Sequence, residues 1–217
     1  MKILIINPNS SQIITNTIYN EAKKFQNMNE EISVKKAETG PKAIETNYDE
    51  VIGSTFVINK FRKEEEKYDA GIIGCFSDPG LDAVREIVNI PVVGMAESAI
   101  HMACLHGSRF SFIATGDAGD ISVFHEIARR YGVESRLASV RCLSVEMEEI
   151  NKSKKELIKT NIERCVYEDG ANVVILGCAA FAGFGDILTS EMKIPVFDGV
   201  KESISFAKML VDYNYKI

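Results

Sequence analysis

The chain of 217 residues has no tryptophan, three histidines, five cysteines and five prolines, and its apolar runs are short. Each scarcity excludes something. No run approaches the roughly 20 apolar residues that a membrane-spanning helix needs. Met1-Lys2 and the apolar Ile3–Ile6 open like a signal peptide, but Asn7-Pro8-Asn9 ends the run before an apolar region of sufficient length can form. A cytoplasmic protein without a membrane partner is expected. No two cysteines are separated by two residues, so a CxxC zinc or redox site is absent, and five is an odd number for a disulfide framework. His101 and His106 stand five apart, off a common helical face, and His125 stands alone. A zinc site or a histidine-assisted nucleophile therefore lacks material. With 25 basic against 31 acidic residues, the net charge is −6, which argues against nucleic acid as a partner.

What is present is a soluble, globular composition, 46% hydrophobic and 26% charged, arranged as short apolar runs between longer amphipathic stretches. The pattern predicts strands at Ile3–Ile6, Ile32–Ala37, Ala70–Gly74, Pro91–Gly94, Phe110–Ala114, Leu137–Cys142, Val173–Gly177 and Pro195–Phe197. Stripes such as Ile14, Ile18, Ala22 and Phe25, or Ile158, Ile162 and Cys165, predict the intervening helices. Alternating strands and helices imply an α/β fold with parallel sheets.

An internal repeat sharpens this reading. Tyr68–Cys75 and Gly170–Cys178 are both apolar strands closed by Gly-Cys, Ile90-Pro91-Val92 returns as Ile194-Pro195-Val196, and Glu97-Ser98 returns as Glu202-Ser203. The offsets are 178 − 75 = 103, 195 − 91 = 104 and 202 − 97 = 105, and Lys2–Ser11 matches Arg109–Gly119 at 109 − 2 = 107. Two pseudo-symmetric lobes follow, each a four-stranded parallel sheet flanked by helices. The first spans residues 1–97, with a C-terminal helix at 199–217 packing back on it; the second spans 98–198. Ligands of open α/β sheets sit at the carboxyl ends of strands. The expected site is a cleft between the lobes, with Cys75 and Cys178 facing each other across it.

Two facing thiols suit inversion of a carbon stereocentre, which needs a base on one face and an acid on the other. Cysteine fits because its pKa of about 8.5 is lowered near helix N-termini and donors. Asp78-Pro79 after Cys75 reads as an N-cap followed by a first-turn proline, which would put Cys75 just ahead of a helix N-terminus. Cys104, Cys142 and Cys165 read instead as small core residues. Asp78 reads as a cap rather than an acid, Asp198 as a turn residue, and Lys60–Asp69 as the solvated end of a helix.

These motifs resemble the cofactor-independent Asp/Glu/hydantoin racemase superfamily, and within it the hydantoin/allantoin branch. The resemblance runs over essentially the whole chain. It rests on Ile6-Asn7-Pro8-Asn9-Ser10, Gly40-Pro41 with Ile44-Glu45 and Tyr48-Asp49, Gly74–Leu81, Pro91–Gly94, Gly177–Gly183 and Pro195–Val200. It implies the two-lobe fold, no cofactor and no metal, and Cys75 and Cys178 as the acid/base pair. Amino-acid racemases of the superfamily typically carry Cys-Asn-Thr and Gly-Cys-Thr at the two thiols. Here the sequences are Cys75-Phe76-Ser77-Asp78 and Cys178-Ala179-Ala180-Phe181. No arginine falls in the predicted strand-end loops, where a free carboxylate would favour one. A neutral ring with imide and ureido groups, allantoin or a 5-substituted hydantoin, is the expected small-molecule substrate. Ala180, where hydantoin racemases commonly have glycine, would narrow the pocket.

Substrate contacts are expected from Asn9 and Ser10 after the first strand, with a helix cap as their alternative role. Thr115 ends the matching strand in the second lobe. Backbone amides of Phe76, Ser77 and Ala179 could hold the oxygen of a developing enolate, and Tyr48 could close over the ligand, unless it is a surface tyrosine at a helix start. Three rivals remain: an amino-acid racemase, decarboxylase or isomerase of the same superfamily; a flavodoxin-like binding module; and a thiol redox protein. The second lacks a Gly-rich phosphate cradle at Asn7–Gln12. The third needs a disulfide between thiols that a ligand would hold apart. A closed homo-oligomer is expected.

Overall fold

The computed structural model describes residues 1–117 and 121–213. Gly119, the end of one repeat segment, and the last four residues of the expected C-terminal helix segment lie outside them. Eight strands form two four-stranded sheets, all of whose pairings are parallel. The first sheet contains β1 (Lys2–Asn7), β2 (Glu31–Lys36), β3 (Ala70–Ile73) and β4 (Val92–Gly94) in the order β2-β1-β3-β4. The second contains β5 (Phe110–Ala114), β6 (Leu137–Cys142), β7 (Val173–Leu176) and β8 (Val196–Phe197) in the order β6-β5-β7-β8. The two orders are the same permutation, as a repeat requires. Each apolar run of the sequence is a strand, with bounds that differ by at most one residue at either end and coincide for Phe110–Ala114 and Leu137–Cys142.

The chain divides into two compact units, Met1–Ser98 with the segment from Val200, and Ala99–Gly199. In the first, the central strands β1 and β3 are buried throughout past Lys2. One sheet face packs Leu4, Ile6, Ile73 and Val92 against Val57 and Phe61 of α2 (Asn47–Glu64) and Leu81 and Val84 of α3 (Leu81–Arg85). Ile14, Ile18 and Ala22 of α1 (Gln12–Ala22) are buried, as the stripe predicts. Phe25 lies beyond that helix in a 3-10 turn and is half-buried, with the Lys201 ammonium 5.7 Å from its ring centroid. Lys208 of α8 (Val200–Asp212) donates to Glu30 at 2.6 Å and to the Phe25 carbonyl at 2.8 Å.

In the second unit, Ile113, Val174, Leu176 and Val196 pack with Ile158, Ile162 and Cys165 of α6 (Lys155–Tyr167) and Leu188 of α7 (Gly185–Met192). α4 (Met95–His106) carries the chain across the unit boundary, and α5 (Ile121–Arg130) buries Phe124 and Ile127. No helix among the described residues is long and apolar enough to cross a membrane.

Local expectations fail in three places. Asp78 does not cap a helix beginning at Pro79. Its φ is +48°, it joins two successive turns, Cys75–Asp78 and Asp78–Leu81, and α3 begins at Leu81 behind Gly80 in the left-handed region. The Lys60–Asp69 run is not wholly solvated, because Phe61 and Glu64 are buried and Glu64 pairs with Lys35 and Lys60. Of the three cysteines read as core, only Cys165 is; Cys104 and Cys142 are half-buried.

Candidate active site

β1 ends in a hydrogen-bonded loop built from its own side chains. Asn7, fully buried, donates its amide N–H groups to Asn9 Oδ1 at 2.9 Å and Thr15 Oγ1 at 3.0 Å. The Asn9 backbone N–H returns a bond to Asn7 Oδ1 at 3.2 Å. Asn9 Oδ1 also accepts from the Ser11 N–H at 3.0 Å. Because a backbone N–H can only donate, the oxygen of the Asn9 amide must face inward, and the orientation is not arbitrary. The Asn9 nitrogen has no hydrogen bond among the described residues, yet no fully buried side-chain nitrogen or oxygen there lacks a partner. That nitrogen therefore keeps a little exposed surface, in a residue only 4% exposed, as a donor at the strand's carboxyl end.

The neighbouring residues have other duties. The helix cap of α1 is Ser11, whose hydroxyl accepts from the Ile14 N–H. Ser10 is half-buried and ties down the β2–α2 loop. Its N–H donates to the Pro41 carbonyl at 2.9 Å, and its hydroxyl to the Gly40 and Pro41 carbonyls at 3.2 and 3.1 Å. In that geometry the Ser10 proton is directed at protein carbonyls. Tyr48 stands in the first turn of α2 and is 73% exposed; that helix starts in a reciprocal cap between Thr46 and Asp49.

Cys75 follows β3 by two residues and is half-buried, its sulfur 3.7 Å from the Ser77 hydroxyl. The Cys75 carbonyl accepts from the Asp78 N–H at 3.1 Å, closing a turn over Phe76 and Ser77. Phe76 is buried in side chain, and Ser77 is half-buried. Cys178 follows β7 by two residues in the same way and is also half-buried. Its carbonyl accepts from the Phe181 N–H at 3.0 Å, so a 3-10 turn over Ala179–Phe181 replaces the first unit's turn. Ala179 and Ala180 are buried. Thr115 lies one residue past β5 and is half-buried. Asn9, Ser10, Cys75, Phe76 and Ser77 thus gather after the carboxyl ends of adjacent strands in the first unit, and Thr115, Cys178 and Ala179 do so in the second.

Cys165 contrasts with these thiols. It is fully buried, and burial pushes its thiol pKa up, against the opposing effects of the Ser111 hydroxyl and Arg141. Beside it, Ser111 and Ser139 share a bond at 2.8 Å, Ser139 donates to Asp169 at 2.5 Å, and Arg141 grips Asp169 at 2.7 and 2.8 Å. This chain of bonds joins β5, β6 and the end of α6 and is satisfied within itself. None of the five cysteines is in a disulfide, and no group of three or more His, Cys, Asp or Glu among the described residues could hold a metal ion.

Asn7 has no role in the sequence reading, although it lies in the motif Ile6-Asn7-Pro8-Asn9-Ser10. Its signal is a polar residue ending a wholly apolar strand. The sequence reading also gives Asp78 and Asp198 only local roles, whereas both reach across their units. Asp78 accepts from the Ala96 and Glu97 N–H groups at 3.1 and 2.8 Å, and Asp198 from those of Gly183 and Gly185 at 2.8 and 3.1 Å.

Comparison with known proteins agrees with this architecture. The family model for Asp/Glu/hydantoin racemases matches residues 3–207. A hydantoin racemase of Pseudomonas sp. strain NS671 is 35% identical over 220 residues, covering 100% of this chain and 88% of that one. Among solved structures, an allantoin racemase from Klebsiella pneumoniae superposes with a TM-score of 0.94 at 30% identity, covering 100% of this chain and 89% of that one. An allantoin racemase from Pseudomonas fluorescens gives 0.91 at 26% identity, covering 100% and 93%.

Proposed function

The chain belongs to the Asp/Glu/hydantoin racemase family, and from that premise we propose that it is a cofactor-independent isomerase inverting the stereocentre of a hydantoin-type ring, allantoin or a 5-substituted hydantoin. One observation carries the reading. Two sheets of identical strand order each end their third strand in Gly-Cys, with a half-buried thiol at the carboxyl end. Similarity to hydantoin and allantoin racemases supports the substrate class.

In the proposed reaction, one cysteine as thiolate takes the hydrogen of the stereocentre as a proton. The C–H electron pair delocalises into the adjacent ring carbonyl as an enolate. The other cysteine, as thiol, delivers its proton to the opposite face, and the two sulfurs end with protonation states exchanged. Nothing is oxidised or reduced. The imide and ureido groups already acidify this hydrogen, so the protein's task is positioning and stabilisation of enolate charge. Backbone N–H groups at Phe76, Ser77 and Ala179 are the proposed donors to that oxygen, with Thr115, Tyr48 and Ser10 as further contacts. Asn9 is assigned a narrower role than its amide type requires. With Oδ1 spent on Asn7 and Ser11, it donates to a ring carbonyl rather than accepting from a ring N–H.

The segments after β1, β3, β5 and β7 — Pro8–Ser11, Gly74–Gly80, Thr115–Asp117 and Gly177–Phe184 — contain neither Arg nor Lys. That favours a neutral ring over an amino-acid carboxylate, which an arginine fork would bind. The reading includes a cytoplasmic location and a closed homo-oligomer. The test is polarimetric assay of single enantiomers of allantoin and several hydantoins beside aspartate and glutamate, with Cys75→Ser and Cys178→Ser. Racemisation of a ring substrate alone, lost by orders of magnitude in each variant, is expected, because a serine hydroxyl is far too weak an acid to replace a thiol. Turnover of aspartate or glutamate instead, or a cysteine variant retaining more than a few per cent of the rate, would overturn the reading.

A further inference from the structure

The two thiol-bearing turns are held by the same kind of tie, supplied from opposite ends. In the first unit the carboxylate belongs to the turn itself. Asp78, three residues after Cys75 and 2% exposed, receives the Ala96 N–H on Oδ1 and the Glu97 N–H on Oδ2, at the start of α4. Its own N–H holds the Cys75 carbonyl. In the second unit the carboxylate belongs to the end of the neighbouring strand. Asp198, just past β8 and 4% exposed, receives the Gly183 and Gly185 N–H groups that follow the Cys178 turn.

The repeat shows that this is one position filled in two ways. Pro91 matches Pro195 at an offset of 104, so Gly94 matches Asp198, since 94 + 104 = 198. A Cβ built on Gly94 would overlap the Asp78 carboxylate. Where the second unit carries its aspartate, the first therefore has a glycine, and the space beside it is taken by a carboxylate reaching back from the thiol turn. Helix capping alone does not require this exchange, because an aspartate at 94 would be the simpler cap. In the first unit, Arg85 adds a second clamp on the same junction, gripping Glu97 at 3.1 and 2.7 Å and the Val92 carbonyl at 2.9 Å.

We propose that Asp78 and Asp198 are positioning residues for racemisation, Asp78 fixing the turn that aims Cys75 and Asp198 the turn that aims Cys178. The inference rests on the two-thiol reading above. Neither carboxylate touches the reacting carbon; each sets where one sulfur lies. A misplacement of about 1 Å costs on the order of a hundredfold in rate. Enantiomers have an equilibrium constant of one, so loosening either turn must lower kcat/KM equally in both directions. The asymmetry appears in exchange. With one thiol misplaced, the other still removes the proton of the enantiomer it faces and returns solvent deuterium to the same side.

The experiment measures, in deuterium oxide, exchange against inversion for each enantiomer of a 5-monosubstituted hydantoin. It compares Asp78→Asn and Asp198→Asn with Cys75→Ser and Cys178→Ser, after thermal melting confirms that each variant folds. Asp78→Asn is expected to lose about a hundredfold in kcat with KM changed less than about threefold. Its exchange bias should share the sign of that of Cys75→Ser, and Asp198→Asn should share that of Cys178→Ser. Asp78→Glu and Asp198→Glu, which keep the charge and displace it by one methylene, take over if an asparagine variant does not fold, and the same signs are expected. Loss of rate without bias, or no loss of rate, would overturn the proposal by showing a purely structural tie or none. If the two cysteine variants show no opposite biases, the two-thiol reading itself falls, and this proposal with it.

Discussion

Asn7 and Asn9 lock one another: the Asn7 amide nitrogen donates to Asn9 Oδ1 at 2.9 Å while the Asn9 N–H donates to Asn7 Oδ1 at 3.2 Å. The exchange spans only Pro8, so the loop after β1 is rigid before any ligand arrives. It leaves the Asn9 nitrogen as the one polar group of that side chain facing outward. A rigid donor supported by a buried neighbour is what a precise substrate contact requires.

Asn9→Asp therefore separates binding from folding. The carboxylate keeps an acceptor for Asn7 and the Ser11 N–H but replaces the outward donor with an acceptor. We expect kcat/KM to fall about ten- to a hundredfold, the equivalent of leaving a substrate carbonyl without its hydrogen bond. Asn7→Ala should cost more stability than Asn9→Asp, since it leaves the buried Asn9 N–H without an acceptor and takes one bond each from Asn9 Oδ1 and Thr15 Oγ1. Steady-state kinetics with melting curves check this; an undiminished kcat/KM in Asn9→Asp would remove Asn9 from the site.

The acid limb of stability should be set by two ion-pair clusters, one around the buried Glu64 and one around the half-buried Asp169. Burial opposes ionisation of Glu64, but hydrogen bonds and charge from Lys35 and Lys60 outweigh it and hold its pKa below the ordinary 4.5. Burial likewise opposes ionisation of Asp169, and Arg141 and Ser139 outweigh it, below the ordinary 3.8. A depressed folded-state pKa means stability fully present above the unfolded value and lost as pH falls through the folded one. Melting temperature should thus fall as pH drops below 4.5, and Glu64→Gln and Asp169→Asn should flatten that fall. Lys35 works in the opposite sense. Glu64 raises its pKa above the ordinary 10.5 despite burial, so its contribution holds below 10.5 and disappears as pH rises through the folded value. An unchanged acid limb in both carboxylate variants would show that other groups control it.

The pattern of legibility in the sequence follows from how far each interaction reaches. Strands such as Val173–Leu176 were readable because every residue is buried and the apolar run is uninterrupted. The repeat implies two lobes of four strands each, but not the order β2-β1-β3-β4 that both sheets share, because nothing local marks which strands pair. Asp78-Pro79 has the local form of an ordinary helix start, while the carboxylate's partners lie 18 and 19 residues on, at Ala96 and Glu97. Nothing local marks such a bond. The sequence offers Asn9 as a ligand or a cap; the cap is Ser11, two residues later in a run of four polar-capable positions, and only the direction of N–H groups decides between them.

Gly71, in the middle of β3, should not tolerate a side chain. A Cβ there would overlap the ring of Phe61, which is fully buried under the sheet in α2. Gly71→Ala is expected to destabilise by about 1–3 kcal/mol, the usual cost of overpacking. Phe61→Leu alone should also destabilise, by removing ring contacts. The double variant should be more stable than the sum of the two losses, because the smaller side chain leaves room for the new methyl. Chemical denaturation of all three variants measures the coupling, and strict additivity would mean that the strand shifts instead of clashing.

Thiol labelling should divide the cysteines by environment. Alkylation requires thiolate and access. Cys165 has neither: it is fully buried, and burial raises its pKa more than the Ser111 hydroxyl and Arg141 lower it. Cys75 and Cys178 are half-buried at strand ends. Native protein treated with iodoacetamide near about pH 7.5, then digested and weighed by mass spectrometry, should show Cys75 and Cys178 modified at least about tenfold faster than Cys165. Denaturation first should equalise the rates, since all thiols then share an ordinary pKa. A hydantoin present during the native reaction should slow Cys75 and Cys178 together while leaving the half-buried Cys104 and Cys142 unaffected. Protection of only one of the pair would mean that the ring meets one sulfur, and racemisation would then need a different second acid.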